Sequence, residues 1–224
     1  MAASRRVVFY HSPQSRSAGT LILLEELGAD YELRPINLQK GESRGSEYLG
    51  VNPMGKVPAI VHDGALVTEQ GAVYTYLADL YPEVGITPSI GDPLRGPYLR
   101  WMFFYNASFE PALIDKSMKR DPAPPSTSPY GDYDTVMTTL GNQLGDGLYL
   151  LGERFTAVDV LWGTALRWTT MFKLVPETPA IKAYIRARDH APGGAARGAD
   201  RRRHPRRPRE IALLPLLPSL CVVL

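Results

Sequence analysis

Between Val7 and Gly28 the chain reads VVFYHSPQSRSAGTLILLEELG, a stretch that allows little besides a buried strand turning directly into a helix. Val7, Val8, Phe9 and Tyr10 are β-branched or aromatic, the composition of a buried strand. Ser12-Pro13 breaks that run. From Ala18 onward Leu21, Leu24 and Leu27, with Ile22 and Leu23 beside them, recur at helical spacing until Gly28, a C-cap residue type. Ser12, Ser15 and Ser17 fall in or just before the first helical turn. That turn has unpaired N–H groups and the positive end of the helix dipole, so it favours an anion. Serine is also an ordinary N-cap, and on this stretch alone the capping reading competes with the anion site.

Tyr31 to Leu38 alternates as a second strand, and residues 39–50 are a polar loop with a short helix. Asn52-Pro53-Met54-Gly55-Lys56-Val57-Pro58 is a turn leading into a strand through Val61. Asp63-Gly64 is a hairpin signal, with Ala65 to Thr68 as the return strand. Glu69 to Tyr81 predicts a helix with Val73, Tyr76, Leu77 and Leu80 on one face and Pro82 as its stop. The order βαβαββα is the thioredoxin-like arrangement. It predicts an α+β chain: a thioredoxin-like domain over 1–81, a Pro/Gly-rich linker over 82–93 and an all-α domain over 94–187. Within the latter, Leu94 to Lys119 reads as one long aromatic-rich helix. Helices follow over 130–145, from Phe155 to about Leu174, and over Pro179 to Ala187. Thr156 and Asp159 have capping-box spacing, with Phe155 and Val160 as a hydrophobic staple.

The formal net charge is +2, which gives no electrostatic reason to expect nucleic acid as a partner. A single cysteine, Cys221, excludes an intramolecular disulfide and a thiolate metal cluster, and it suits a reducing compartment. The N-terminal apolar run is too short for a secretory signal, and no segment reaches the roughly 20 apolar residues of a membrane span. The expectation is a cytoplasmic protein without metal, nucleic acid or membrane partners.

Four motifs in order carry a family resemblance over residues 7 to about 187. Ser12-Pro-Gln-Ser15 stands where thioredoxin-like proteins place a CxxC pair. Asn52-Pro-Met-Gly-Lys-Val57-Pro58 matches an NPxGxVP segment, Thr68-Glu69-Gln70-Gly71-Ala72-Val73 an (S/T)E(S/Q)xAI helix start, and Phe155-Thr-Ala-Val-Asp159 an FTxAD box. Together they make the chain resemble the cytosolic glutathione S-transferase family. The resemblance implies glutathione as co-substrate, a small hydrophobic electrophile as second substrate, and a homodimer by family habit.

Glutathione must be activated as its thiolate, and a free thiol has pKa about 8.5. Lowering that by about two units takes roughly 2.7 kcal/mol. A helix N-terminus supplies about 0.3–1 kcal/mol and a hydrogen bond to a charged group about 1.5–3 kcal/mol. A neutral hydroxyl at the helix start is therefore sufficient, with no general base. Ser12 matches the first cysteine of CxxC and the catalytic serine of theta- and tau-like relatives. Ser15 matches the SRSxR pattern of other bacterial relatives. Tyr10 is a third hydroxyl, placed on the strand. The beta-like relatives carry a cysteine near Arg16, and its absence argues against a mixed-disulfide mechanism there.

The resemblance also implies handles for the peptide. Val57-Pro58 matches the family's cis-proline corner, which would pair the Val57 backbone with the cysteinyl residue. Glu69 and Gln70 open a helix whose N–H groups suit the γ-glutamyl carboxylate, while the Glu69 carboxylate suits the ammonium. Lys40 and Lys56 are candidates for the glycyl carboxylate, and Asn106 matches a glutathione-contacting asparagine of beta-like relatives. Trp101, Met102, Phe103, Phe104, Tyr105 and Phe109 crowd one helix too densely to face one side, so some are core and some line an electrophile pocket. Trp162 and Trp168 are read as core.

From 188 to 224 the composition changes to clustered Arg, Pro and Gly, then leucines broken by prolines, without helical period. A basic arm and a membrane-surface anchor are possible uses. The abrupt shift favours the hypothesis that the tail is an out-of-frame translation of a GC-rich gene. Resequencing the DNA around the codon for Arg188 tests it, and an intact frame encoding this tail would refute it.

Overall fold

The computed structural model describes residues 4–120 and 123–191; the atypical tail beyond 191, with Cys221, lies outside them. The first element is β1 (Val7–His11), whose Val7 and Phe9 are fully buried. It leads through the serine turn into α1 (Ser17–Glu26). Strand β2 (Tyr31–Pro35) then pairs with β1 in parallel, Val7 opposite Tyr31 and His11 opposite Pro35, as a helical crossover requires. A short 3₁₀ turn (Glu42–Arg44) and α2 (Ser46–Leu49) carry the chain to β3 (Ala59–His62) and β4 (Ala65–Val67). Asp63 and Gly64 both have positive φ, as a tight hairpin between these strands demands. The sheet order is β2-β1-β3-β4, with β3 antiparallel to both neighbours. Next comes α3 (Gln70–Leu80), completing the thioredoxin-like half.

The helical half comprises α4 (Arg95–Phe104), α5 (Glu110–Ser117), α6 (Tyr133–Gly145), α7 (Ala157–Met171) and α8 (Pro179–Asp189). The single helix predicted over 94–119 is instead α4 and α5 joined by a π-helical turn, Tyr105–Phe109. Pro111 accounts for this. It has no N–H for the Ala107 carbonyl and its ring crowds that carbonyl, so the ladder re-registers through a wider turn. The stretch 82–93 is pinned rather than free: Arg95 binds Asp79 and the Pro88 carbonyl, and Arg154 binds Asp92.

One core runs from Val7 and Phe9 through Leu23, Leu24, Tyr74 and Leu77 into Trp101, Met102, Trp162 and Tyr184. The aromatic run divides as crowding requires. Trp101, Met102, Tyr105 and Phe109 are buried, and Trp162 lies among them with its Nε1–H on the Trp101 carbonyl. Phe103 is exposed and Phe104 half-buried. Trp168 packs against the same core. The capping box is present: the Asp159 carboxylate accepts the Thr156 N–H at 2.8 Å, and also the Leu150 N–H and the Tyr184 hydroxyl. Along α3 the buried face is Val73, Tyr74, Leu77 and Ala78. Tyr76, expected inside, is on the rim, where its hydroxyl meets His62 Nδ1 at 2.6 Å.

Candidate active site

Strand register collects the predicted residues at one end of the sheet. Tyr10 pairs with Ala59; continuing that antiparallel ladder outward sets Pro58 beside His11 and Val57 beside Ser12. The Val57–Pro58 bond is cis. Ile60 pairs with Val67, so β4 delivers Thr68, Glu69 and the start of α3 to the same end. A hydrogen bond closes the circuit: Gln70 Nε2 donates to the Arg16 carbonyl at 3.2 Å.

The serine turn is a network centred on Ser17, which is fully buried. Its Oγ accepts the Ser12 N–H at 3.0 Å. Its one hydroxyl hydrogen has three acceptors in reach: His11 Nδ1 at 2.8 Å, Ser15 Oγ at 2.8 Å and the Ser12 carbonyl at 3.1 Å. Ser15 donates to the Ser12 carbonyl at 2.7 Å and accepts the Ser17 N–H at 3.2 Å. The Ser15 hydroxyl is thus engaged, whereas the contacts of Ser12 run through its backbone. Ser12 is buried and Ser15 half-buried. Gln14, exposed at the tip, has φ 55°, a left-handed conformation that makes the turn tight. Arg16 precedes the helix without a side-chain cap of its own; in the first turn of α1 the Ser17 N–H goes to Ser15 Oγ and the Ala18 N–H to the Ser15 carbonyl.

Burial lowers the His11 pKa to about 4, outweighing the raising effect of its hydrogen bond to Ser17. The ring is therefore neutral at pH 7. Burial also opposes the charge on Arg16, but the half-buried Glu110 carboxylate paired with its Nε more than offsets this and raises its pKa. Neither His11 nor Glu110 was legible beforehand: His11 reads as a strand end, and Glu110 lies 94 residues from its partner. The serine spacing points to Ser17 without separating it from a cap.

The other candidates take varied positions. Glu69 is exposed and sits just before α3 with φ 62° and ψ 117°, strain of a kind that functional sites hold. Gln70 is buried, and its Oε1 has no hydrogen-bond partner among the described residues. Asn106 lies in the π turn and accepts the Gly71 N–H at 3.0 Å. The Lys56 carbonyl is held by Tyr48 and Asn52 while its side chain is exposed. Lys40 lies on the exposed turn after β2, its contact to Asn37 running through the backbone. The Tyr10 ring packs at a tilt against Tyr48, a packing position. No group of three or more His, Cys, Asp or Glu residues suited to a metal ion occurs among the described residues, nor any helix long and apolar enough to cross a membrane.

The family model described as the glutathione S-transferase N-terminal domain matches residues 6–79, the span that builds this sheet end. Residues 6–79 are a glutathione S-transferase N-terminal domain. The chain is 28% identical over 167 residues to glutathione S-transferase GstA of Escherichia coli O157:H7, covering 74% of this chain and 83% of that one. It is also 28% identical over 187 residues to the disulfide-bond oxidoreductase YfcG of Escherichia coli K12, covering 77% of this chain and 85% of that one. Among solved structures, a sphingomonad glutathione S-transferase complexed with glutathione superposes with a TM-score of 0.66 at 26% identity, covering 84% of this chain and 96% of that one. The matched span holds the first three of the four motifs, from Ser12 to Val73.

Proposed function

We propose that the protein is a glutathione transferase in which the start of α1 stabilises the bound thiolate and a serine hydroxyl donates to it. The observation that carries this reading is the convergence of two helix N-termini, α1 and α3, with the Val57 backbone at one sheet end. Two anionic groups of one ligand, a thiolate and a carboxylate, suit two such termini. Glutathione has both, and a relative with the same architecture has been seen with glutathione bound.

In this reading the γ-glutamyl carboxylate meets the Gln70 N–H at the start of α3, and the Glu69 carboxylate takes the ammonium. Val57 pairs with the cysteinyl backbone as an added strand would. Lys56 and Lys40 are available to the remainder of the peptide, while Asn106 is turned to the Gly71 N–H. Ser12 is favoured over Ser15 as donor, because the Ser15 hydrogen is already given to the Ser12 carbonyl at 2.7 Å. The thiolate then attacks an electrophile bound beside the helical half, with Phe103 and Phe104 as apolar wall residues. We read the protein as cytoplasmic and homodimeric, in keeping with the family.

A second reading, glutathione-dependent disulfide reduction, draws on the likeness to YfcG. Hydroxyls rather than thiols in the turn favour transfer. The test is glutathione titration by calorimetry, with conjugation of a chloronitrobenzene and reduction of a small disulfide assayed in parallel. Conjugation that falls at least about a hundredfold in Ser12→Ala with binding retained supports the proposal. Disulfide reduction without conjugation supports the second reading, and no binding by the folded protein refutes both.

A further inference from the structure

The π turn Tyr105–Phe109 and the residue after it reach the thioredoxin-like half at two points. Asn106 Oδ1 accepts the Gly71 N–H in the first turn of α3. Glu110 pairs with Arg16, the residue just before α1. The side chains of Arg16 and Glu110 are 25% and 15% exposed, so water and salt screen this pair less than a surface one. Gly71 is suited to the approach, since a Cβ there would come within 2.8 Å of Asn106 Oδ1. The wider π turn changes the angle between positions 106 and 110 from that of a straight α-helix, and their side chains reach different helix starts.

The same two helix starts form the proposed binding end. The Arg16 carbonyl is also held by Gln70, so α1, α3 and the helical half meet at one residue. We infer that the π turn is the element by which the helical half sets both N-termini, with Asn106 a positioning residue for α3 and Glu110 a positioning residue for α1. The roles assigned to the two termini, glutathione binding at α3 and thiol chemistry at α1, rest on the proposed function. Their placement does not.

Hydrogen exchange on the full chain reads the placement without glutathione. Asn106→Ala should speed exchange of amides 70–73, and Glu110→Gln that of amides 15–18, each by about tenfold and without change at the other helix start or in α6. Steady-state kinetics read the division of labour. In Asn106→Ala, KM for glutathione rises about tenfold with kcat within about twofold. In Glu110→Gln, kcat falls about tenfold, KM stays within about threefold, and the pH midpoint of kcat/KM moves upward. Glu110→Asp, which keeps the charge, recovers part of the loss. Exchange that rises at both helix starts in both variants, or at neither, overturns the inference. So do kcat and KM changing in proportion with the pH midpoint fixed. A wild type that neither binds nor conjugates glutathione refutes the functional reading instead, and the exchange data then decide the placement alone.

Discussion

His11 Nδ1 stands 2.8 Å from the Ser17 hydroxyl, where β1 ends and the serine turn begins. The contact makes the turn an extension of the sheet, and it places a titratable ring among groups that have little access to water. Its consequences reach stability, not only geometry.

Burial holds the folded-state pKa of His11 at about 4, against about 6.5 in the unfolded chain. The unfolded state therefore takes up a proton first as pH falls. The stability associated with a neutral His11 is fully present above about pH 6.5 and is lost progressively down to about pH 4, amounting to roughly 3 kcal/mol. Urea unfolding of wild type and His11→Gln at pH 7, 5.5 and 4.5 checks this. The variant should lose less stability on acidification than wild type, and parallel losses would contradict the assignment.

Two glycines make a paired prediction. Gly19 lies inside α1, where a Cβ would meet the hydroxyl of the fully buried Tyr74 at 2.5 Å. Gly141 lies inside α6 with nothing within 4 Å of a Cβ. Alanine favours a helix by about 1 kcal/mol at either position, but crowding costs about 1–3 kcal/mol at the first. Gly141→Ala should raise stability by about 0.5–1 kcal/mol and Gly19→Ala should lower it by about 1 kcal/mol. Thermal unfolding of the two variants gives the order, and the opposite ranking would refute the packing around Tyr74.

Asp159 is fully buried, and burial raises its pKa against the hydrogen bonds from Leu150, Thr156 and Tyr184. Replacing it with alanine leaves several buried donors without an acceptor. Asp159→Ala should cost about 3 kcal/mol or more and lower the yield of folded protein. A loss below about 1 kcal/mol by urea unfolding would mean that water replaces the carboxylate readily.

Periodicity was enough to place β1, α1, the β3–β4 hairpin and α3, because each buries one face and announces its ends with Ser-Pro, Gly or Asp-Gly. The Val57–Pro58 corner and the Thr156–Asp159 box were legible as motifs, since their geometry is local. What local sequence left obscure is long-range. Pro111 looks like an early residue of some helix, and only a helix continuous on both sides turns it into the cause of a π turn. The pairing of Arg16 with Glu110 and of Asn106 with Gly71 depends on how two halves dock, which no window of sequence encodes. Motif alignment favours Ser12 over Ser15 only slightly, and the hydrogen that Ser15 gives to the Ser12 carbonyl supports the same choice in the proposed mechanism.

In the proposed mechanism this turn stabilises a thiolate through Ser12. Ultraviolet titration of the thiolate in the protein–glutathione complex tests it most directly, in wild type, Ser12→Ala and Ser15→Ala. The wild-type thiol should titrate about two units below the free value of about 8.5, returning most of the way in Ser12→Ala and moving by less than about half a unit in Ser15→Ala. A bound thiol that titrates at its free value in wild type, or one whose pKa is indifferent to Ser12, would contradict it.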